Sequence, residues 1–118
     1  MKGIMNPVRR HNVNVIGNGS RTLMLAHGYG CDQSMWRSIA PHFEGDFKVV
    51  LFGYVGAGLS DPASFNRTQY STLNGYASDV LEIIAELGLN RVNFVGHSVS
   101  SMIGLWRRSK GRRCLRVW

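Results

Sequence analysis

Short apolar runs alternate with amphipathic stretches along most of this chain, and the alternation predicts its fold. Residues 22–26, 47–52 and 91–95 are mostly apolar runs of strand length. Such runs are typical of strands that are covered on both faces of a parallel sheet. Residues 8–16 alternate apolar and polar side chains and end in Gly17-Asn18-Gly19-Ser20, which predicts one or two edge strands closing in a turn.

Helical spacing appears between these strands. One helix is predicted to begin after Asp32, a suitable N-cap, and to end near Pro41. A second carries a single apolar stripe and is terminated by Gly88, and another helix begins at Ser100. Strands that alternate with helices predict an α/β fold, a mostly parallel sheet with helices on both faces. The apolar positions are Met35, Trp36, Ile39 and Phe43 in the first helix, and Leu73, Tyr76, Ala77, Val80, Leu81, Ile84 and Leu87 in the second.

The pentapeptide Gly96-His97-Ser98-Val99-Ser100 lies where the last predicted strand turns into a helix. A serine between small residues at such a turn is how many enzymes present a catalytic nucleophile. Taken alone, the pattern also fits an ordinary strand-to-helix turn, since its fifth residue is Ser100 and not glycine. The position of the pentapeptide favours Ser98 as the nucleophile. Ser100, at the fifth position, is small enough for the helix to approach the strand.

A glycine-rich loop, His27-Gly28-Tyr29-Gly30, follows the strand predicted over residues 22–26. Glycines let backbone N–H groups approach an oxyanion closely, and the N–H groups of Tyr29 and Val99 are the predicted donors. By itself the loop also fits a simple turn with an internally bonded histidine. Two such loops after two buried strands favour the catalytic interpretation, in which His97 packs or lines a pocket and does not act as the base.

Three segments of the chain resemble the α/β-hydrolase superfamily. The resemblance is closest to the branch that contains the bacterial stress-response regulator RsbQ and the plant strigolactone and karrikin receptors, and it covers nearly all of residues 8–105. The segments are His27-Gly28-Tyr29-Gly30-Cys31-Asp32-Gln33-Ser34-Met35-Trp36, Tyr54-Val55-Gly56-Ala57-Gly58-Leu59-Ser60, and Tyr70-Ser71-Thr72-Leu73-Asn74-Gly75-Tyr76 together with Gly96-His97-Ser98-Val99-Ser100-Ser101-Met102-Ile103-Gly104.

This resemblance implies a serine hydrolase with Ser98 as nucleophile and Tyr29 and Val99 as oxyanion donors. It implies a small hydrophobic ester or lactone-like ligand, no cofactor and, in the bacterial members, a signalling phosphatase as partner. The residues His27, Gly28, Gly96, His97 and Ser100 support the motifs. One departure is Gly53, where the family usually carries an aspartate that anchors a loop.

The net charge of +7 is concentrated in the last part of the chain. The first 105 residues carry eight basic and seven acidic side chains, whereas the other six basic side chains follow Leu105. We therefore divide the chain into residues 1–105, a partial hydrolase domain, and residues 106–118, a basic tail outside the family pattern. The tail also fits a nucleic-acid or membrane binder, but no other part of the chain resembles a nucleic-acid module, so neither partner is favoured.

The codons of the tail suggest another origin. Reading the bases of residues 106–110 one position earlier allows Leu-Ala-Ser-Ile-Lys, which resembles the continuation of a family helix. We therefore expect that a single-base loss near the Leu105 codon truncated a hydrolase gene. In that fold the triad acid and base follow the nucleophile, so we expect this chain to be inactive, or to be a ligand- or partner-binding module without turnover. We also expect the strand before Ser98 to present an unpaired apolar edge.

Cysteine and histidine usage excludes other chemistries. Cys31 and Cys114 form no disulfide framework, and the four histidines share no ligand spacing with them or with each other, so no metal site is expected. The first residues have no apolar core of a signal peptide, and no apolar run is long enough to span a membrane. We expect a soluble, cytoplasmic protein.

Overall fold

Strands from distant parts of the chain form one five-stranded sheet in the structure, which is a computed structural model and describes residues 6–28, 32–54, 73–97, 100, 103 and 115–117. The strand order is β1-β3-β2-β4-β5, with β1 antiparallel to β3 and every other neighbouring pair parallel. The strands are β1 (Asn14–Ile16), β2 (Arg21–Ala26), β3 (Phe47–Leu51), β4 (Val92–Gly96) and β5 (Leu115–Val117).

Two apolar clusters cover the two faces of this sheet. Met24 and Phe94 face helix α2 (Leu73–Glu86), whereas Leu23 and Val49 face Trp36 and its neighbours on the other side. Successive side chains of a strand point to opposite faces, so the central strands bury both sets. Each fully buried side chain of this size stabilises the fold by about 1.5–3 kcal/mol. The predicted fold class, a mostly parallel sheet covered on both faces, is confirmed.

Helix α2 ends where its sequence predicts. Gly88 has a φ of +66°, a left-handed conformation that glycine adopts without strain. The Gly88 N–H donates to the Ala85 carbonyl at 3.2 Å, and the Leu89 N–H donates to the Ile84 carbonyl at 3.0 Å. These two bonds form a Schellman motif, which satisfies carbonyls that the helix leaves free at its end.

The N-terminal segment differs from the prediction of edge strands over residues 8–16. Pro7–Arg10 forms a short helix, α1, whose N-cap Asn6 accepts a hydrogen bond from the Arg9 N–H at 3.0 Å. Proline suits the first turn of a helix because its missing N–H would have no partner there. Only β1 is extended, and it lies at the edge of the sheet as expected.

The helix predicted after Asp32 is two 3₁₀ helices, Gln33–Trp36 and Ala40–Phe43. The capping role of Asp32 is confirmed, because its carboxylate accepts the Ser34 N–H at 2.9 Å. Pro41 lies in the first turn of the second helix and does not end the first. Proline has no N–H to donate to the preceding turn, so a single α-helix through this position would lose a hydrogen bond.

The prediction of an unpaired edge on β4 is wrong for three of its residues. β5 lies parallel to it, with Val92 opposite Leu115 and Phe94 opposite Val117. A strand from the basic tail therefore covers this part of the edge. The predicted loop over residues 53–69 lies mostly outside the described residues, and of the helix predicted from Ser100 only Ser100 and Ile103 are described, both helical.

Candidate active site

Strands β2 and β4 end side by side at one edge of the sheet. Ala26 pairs with Gly96, and the His97 N–H donates to the Ala26 carbonyl at 3.1 Å. A Cβ at Gly28 would overlap His97 Nδ1 and lie 3.1 Å from the His97 carbonyl oxygen. The two loops selected from the sequence are therefore in contact, and glycine at position 28 permits the approach.

Three predicted site residues, Tyr29, Ser98 and Val99, lie outside the described residues. Their roles as oxyanion donors and nucleophile stay predictions. His97, which precedes the predicted nucleophile, is exposed, and its ring lies against the Gly28 backbone. The description of the site therefore rests on the residues that flank these three in the chain or contact their loops.

His27 is buried, and both of its ring nitrogens are engaged. Nε2 lies 3.1 Å from the Tyr54 backbone nitrogen, and Nδ1 lies 2.9 Å from the Gly28 carbonyl oxygen. A backbone N–H can only donate, so Nε2 is the acceptor and Nδ1 carries the proton that is donated to Gly28. Burial lowers the pKa of His27, which also favours the neutral ring. This histidine is therefore unavailable as a catalytic base.

Ser100 joins the same loop through its side chain. Its buried hydroxyl donates to the His27 carbonyl oxygen, and it lies 2.7 Å from the Tyr54 hydroxyl. Because the carbonyl can only accept, Ser100 is the donor to His27, and Tyr54 is then the donor to Ser100. Burial raises the pKa of Tyr54, which keeps its phenol protonated for this bond. We call these three side chains, His27, Tyr54 and Ser100, the loop anchor.

A second buried histidine contacts the opposite side of the same chain segment. His11 Nδ1 donates to the Gly53 carbonyl at 2.9 Å, and the Gly53 N–H donates back to the His11 carbonyl at 2.9 Å. The Gly53 carbonyl and the Tyr54 N–H belong to one peptide unit. This unit is therefore held between His11 on one side and His27 on the other.

Charged side chains surround His11. Its Nε2 lies 3.7 Å from an Asp79 carboxylate oxygen and has no hydrogen-bond partner among the described residues, while Arg10 pairs with Glu82 beside it. Burial lowers the pKa of His11, and the Asp79 charge opposes part of that shift. Gly53 is thus anchored to His11 through its backbone.

Sequence reasoning missed the side chain of Tyr54. The residue appeared only as part of a resembling segment, and its hydroxyl meets Ser100 across 46 positions of the chain. The available signal was its position, since it follows the end of β3, and neighbouring parallel strands end at the same edge. Its ring also packs edge-to-face against His27, with centroids 4.9 Å apart.

Within the described ranges, no group of three or more histidine, cysteine or acidic side chains could hold a metal ion. None of the helices in this part of the chain is long and apolar enough to cross a membrane.

Family comparison supports the class that this architecture defines. Residues 21–107 match the family described as alpha/beta hydrolase fold, and the chain belongs to this family. The superfamily predicted from the motifs is thereby confirmed.

Several relatives are similar over most of this chain. Karrikin insensitive 2 receptor CA of Petunia hybrida is 50% identical over 95 residues, which are 80% of this chain and 35% of the receptor. Strigolactone esterase D14 of Arabidopsis thaliana is 48% identical over 94 residues, again 80% of this chain and 35% of the esterase. The chain thus spans about a third of the length of these relatives.

A solved hydrolase from Oleispira antarctica has a similar structure. The TM-score is 0.86 at 48% identity, over 94% of this chain and 41% of the hydrolase.

Proposed function

We propose that this chain carries the nucleophile and oxyanion half of a serine hydrolase site. Ser98 is the nucleophile, and the Tyr29 and Val99 N–H groups are the oxyanion donors. The observation that carries the proposal is the contact between Gly28 and His97, the residues that precede Tyr29 and Ser98. This contact holds the two loops against each other, which supports assigning both donors to one site.

The proposed substrate is a small hydrophobic ester or lactone-like molecule. Two similar proteins are named strigolactone esterase D14 and karrikin insensitive 2 receptor CA, and the first of these names supports an ester as substrate. In the proposed reaction Ser98 Oγ adds to the carbonyl carbon, and the backbone N–H groups stabilise the oxygen anion that forms.

We further propose that the 118-residue chain does not turn over substrate by itself. Each of its four histidines precedes Ser98, whereas this fold takes its base from later in the chain. Of the four, His27 has both ring nitrogens in hydrogen bonds and His11 lies beside Asp79. Loss of the base from a triad lowers turnover by several orders of magnitude.

A chimera tests the role of Ser98. The aligned stretch of the Arabidopsis esterase is replaced by this chain's residues, and hydrolysis of p-nitrophenyl acetate is measured. We expect the chimera to hydrolyse the ester and Ser98→Ala to lower the rate by roughly 10⁴- to 10⁶-fold. Ser38→Ala, an exposed serine in a turn, is the matched control and keeps the activity.

The 118-residue chain is assayed in parallel. We expect no hydrolysis that depends on Ser98, and measurable Ser98-dependent turnover would contradict the proposed inactivity. A folded chimera whose activity survives Ser98→Ala would contradict the nucleophile assignment. Capture of a ligand by the chain without labelling of Ser98 by a fluorophosphonate probe would favour a binding module.

A further inference from the structure

The hydroxyl of Ser100 performs a task that a glycine at this position of the motif could not. It donates to the His27 carbonyl and accepts from the Tyr54 phenol, and all three side chains are buried. The Ser100 N–H also donates to the His97 carbonyl at 3.1 Å. Ser100 is therefore bonded both to the chain that precedes Ser98 and to the loop after β2.

The loop anchor controls the direction of two successive peptide units. Ser100 holds the His27 carbonyl, and His27 Nδ1 holds the Gly28 carbonyl at 2.9 Å. A trans peptide unit is planar, so the direction of its carbonyl determines the direction of the N–H that follows. The N–H that follows the Gly28 carbonyl belongs to Tyr29, the proposed oxyanion donor.

We propose that Ser100 and Tyr54 are positioning residues for the oxyanion site, with Tyr54 acting through Ser100. This inference rests on the proposed function, because it assigns the Tyr29 N–H as the group that is positioned. Ser100 fixes the His27–Gly28 peptide, which directly precedes the peptide that carries the Tyr29 N–H. Tyr54 orients the Ser100 hydroxyl toward the His27 carbonyl. Neither residue touches the substrate.

An equilibrium probe tests the proposal on the full 118-residue chain without requiring a catalytic base. The serine oxygen adds to the boron of butylboronic acid and releases its proton to solvent, which gives a tetrahedral anion that resembles an acyl-transfer intermediate. Binding is followed by ¹¹B NMR, which separates tetrahedral from trigonal boron, and Ser98→Ala identifies the signal that depends on the nucleophile.

We expect Ser100→Ala and Tyr54→Phe each to weaken boronate binding by roughly five- to tenfold, as expected for the loss of one hydrogen bond. The double variant is expected to bind about as weakly as Ser100→Ala alone, because residues that act in series are not additive. Ser38→Ala, at an exposed position, should bind as the unaltered chain does.

A second measurement separates positioning from general loss of structure. Carbonyl ¹³C shifts of His27 and Gly28 report the hydrogen bonds that these carbonyls accept. We expect both shifts to change in Ser100→Ala while the sheet amides of β2 and β3 keep theirs. Unchanged shifts, or altered shifts with unaltered boronate affinity, would overturn the proposal.

Failure of the proposed function gives a different result. If the folded chain forms no Ser98-dependent tetrahedral boronate although Ser100→Ala moves the carbonyl shifts, the oxyanion assignment is wrong, and the positioning role falls with it. If the boronate binds and depends on Ser98 but not on Ser100 or Tyr54, only the positioning role is wrong.

Discussion

His11 and His27 hold the same peptide unit from opposite sides, yet their surroundings differ. His27 Nε2 accepts the Tyr54 N–H, and its Nδ1–H donates to the neutral Gly28 carbonyl, so both ring nitrogens are hydrogen-bonded. His11 donates to the Gly53 carbonyl, and its other nitrogen faces a carboxylate and has no hydrogen bond within the described part of the chain. The hydrogen bonds of the histidine beside the candidate site thus favour its neutral form, whereas the distant histidine lies in a charged cluster.

The opposite hydrogen-bonding roles of the two histidines follow from the strand order. β3 lies between β1 and β2, so the chain that continues from β3 meets His11, which precedes β1, on one side and His27, which follows β2, on the other. A trans peptide unit points its carbonyl and its N–H in opposite directions. One histidine must therefore donate and the other must accept.

The largest expected effect comes from removing His27. His27→Ala leaves the buried Tyr54 N–H without a partner and removes the edge-to-face ring contact. An orphaned buried donor costs about 1–3 kcal/mol and the ring contact about 1 kcal/mol, so we expect the free energy of unfolding to fall by about 3 kcal/mol. Urea unfolding followed by circular dichroism measures the change.

His42→Ala is the matched control, because His42 is exposed. It should change the free energy of unfolding by less than about 0.5 kcal/mol. Equal losses in the two variants would show that His27 does not hold the peptide.

The charged cluster around His11 should respond unequally to loss of its two partners. Glu82→Ala leaves the buried Arg10 guanidinium without its carboxylate, and we expect a loss of about 2 kcal/mol. Arg10→Met removes the buried charge itself and keeps its apolar volume, so stability should change by less than about 1 kcal/mol. Thermal or urea unfolding of both variants tests this order, and a larger loss in Arg10→Met would contradict it.

The sequence predicted the regular elements well and the polar contacts poorly. β2, β3, β4 and α2 were predicted because each has a strong period or a continuous apolar run. The region after Asp32 was predicted as one helix because spacing alone does not show how Pro41 divides it.

The contacts that define the loop anchor depend on tertiary structure. Ser100 reaches His27 across 73 positions and Tyr54 across 46 positions, so no local pattern could indicate them. The motif therefore predicted that a small residue is needed at position 100, but it did not predict that the Ser100 hydroxyl forms hydrogen bonds. β5 was missed for a similar reason, since its partner β4 is separated from it by more than 15 residues.

A smaller effect is expected where the two loops meet. Gly28→Ala places a Cβ against the His97 ring, which can rotate away, and near the His97 carbonyl, which cannot move as easily. We expect a loss of about 1 kcal/mol. Gly45→Ala is the control, because no atom of the residues that the structure describes lies within 4 Å of a Cβ built there. Urea midpoints of the two variants should differ in that direction, and equal midpoints would show that the loops are not tightly packed.

The smallest expected effect is the difference between the two histidines on acidification. Burial lowers the pKa of both in the folded chain, so both are neutral there, while the unfolded chain takes up protons near pH 6.5. The contribution of each histidine to the free energy of unfolding is then fully present above about pH 6.5. It is lost as the pH falls toward the folded-state pKa. Each contributes a slope of at most about 1.4 kcal/mol per pH unit.

Protonation should cost less at His11 than at His27. A proton on His11 Nε2 faces the Asp79 carboxylate, with Glu82 and Arg10 nearby. A proton on His27 Nε2 instead displaces the Tyr54 N–H, and Asp32 is the acidic group that acts on this ring. His27→Gln should therefore flatten the decline in unfolding free energy between about pH 7 and pH 5 more than His11→Gln does. Urea titrations across this range measure the slopes, and a steeper contribution from His11 would show that the Asp79 carboxylate does not stabilise the protonated ring.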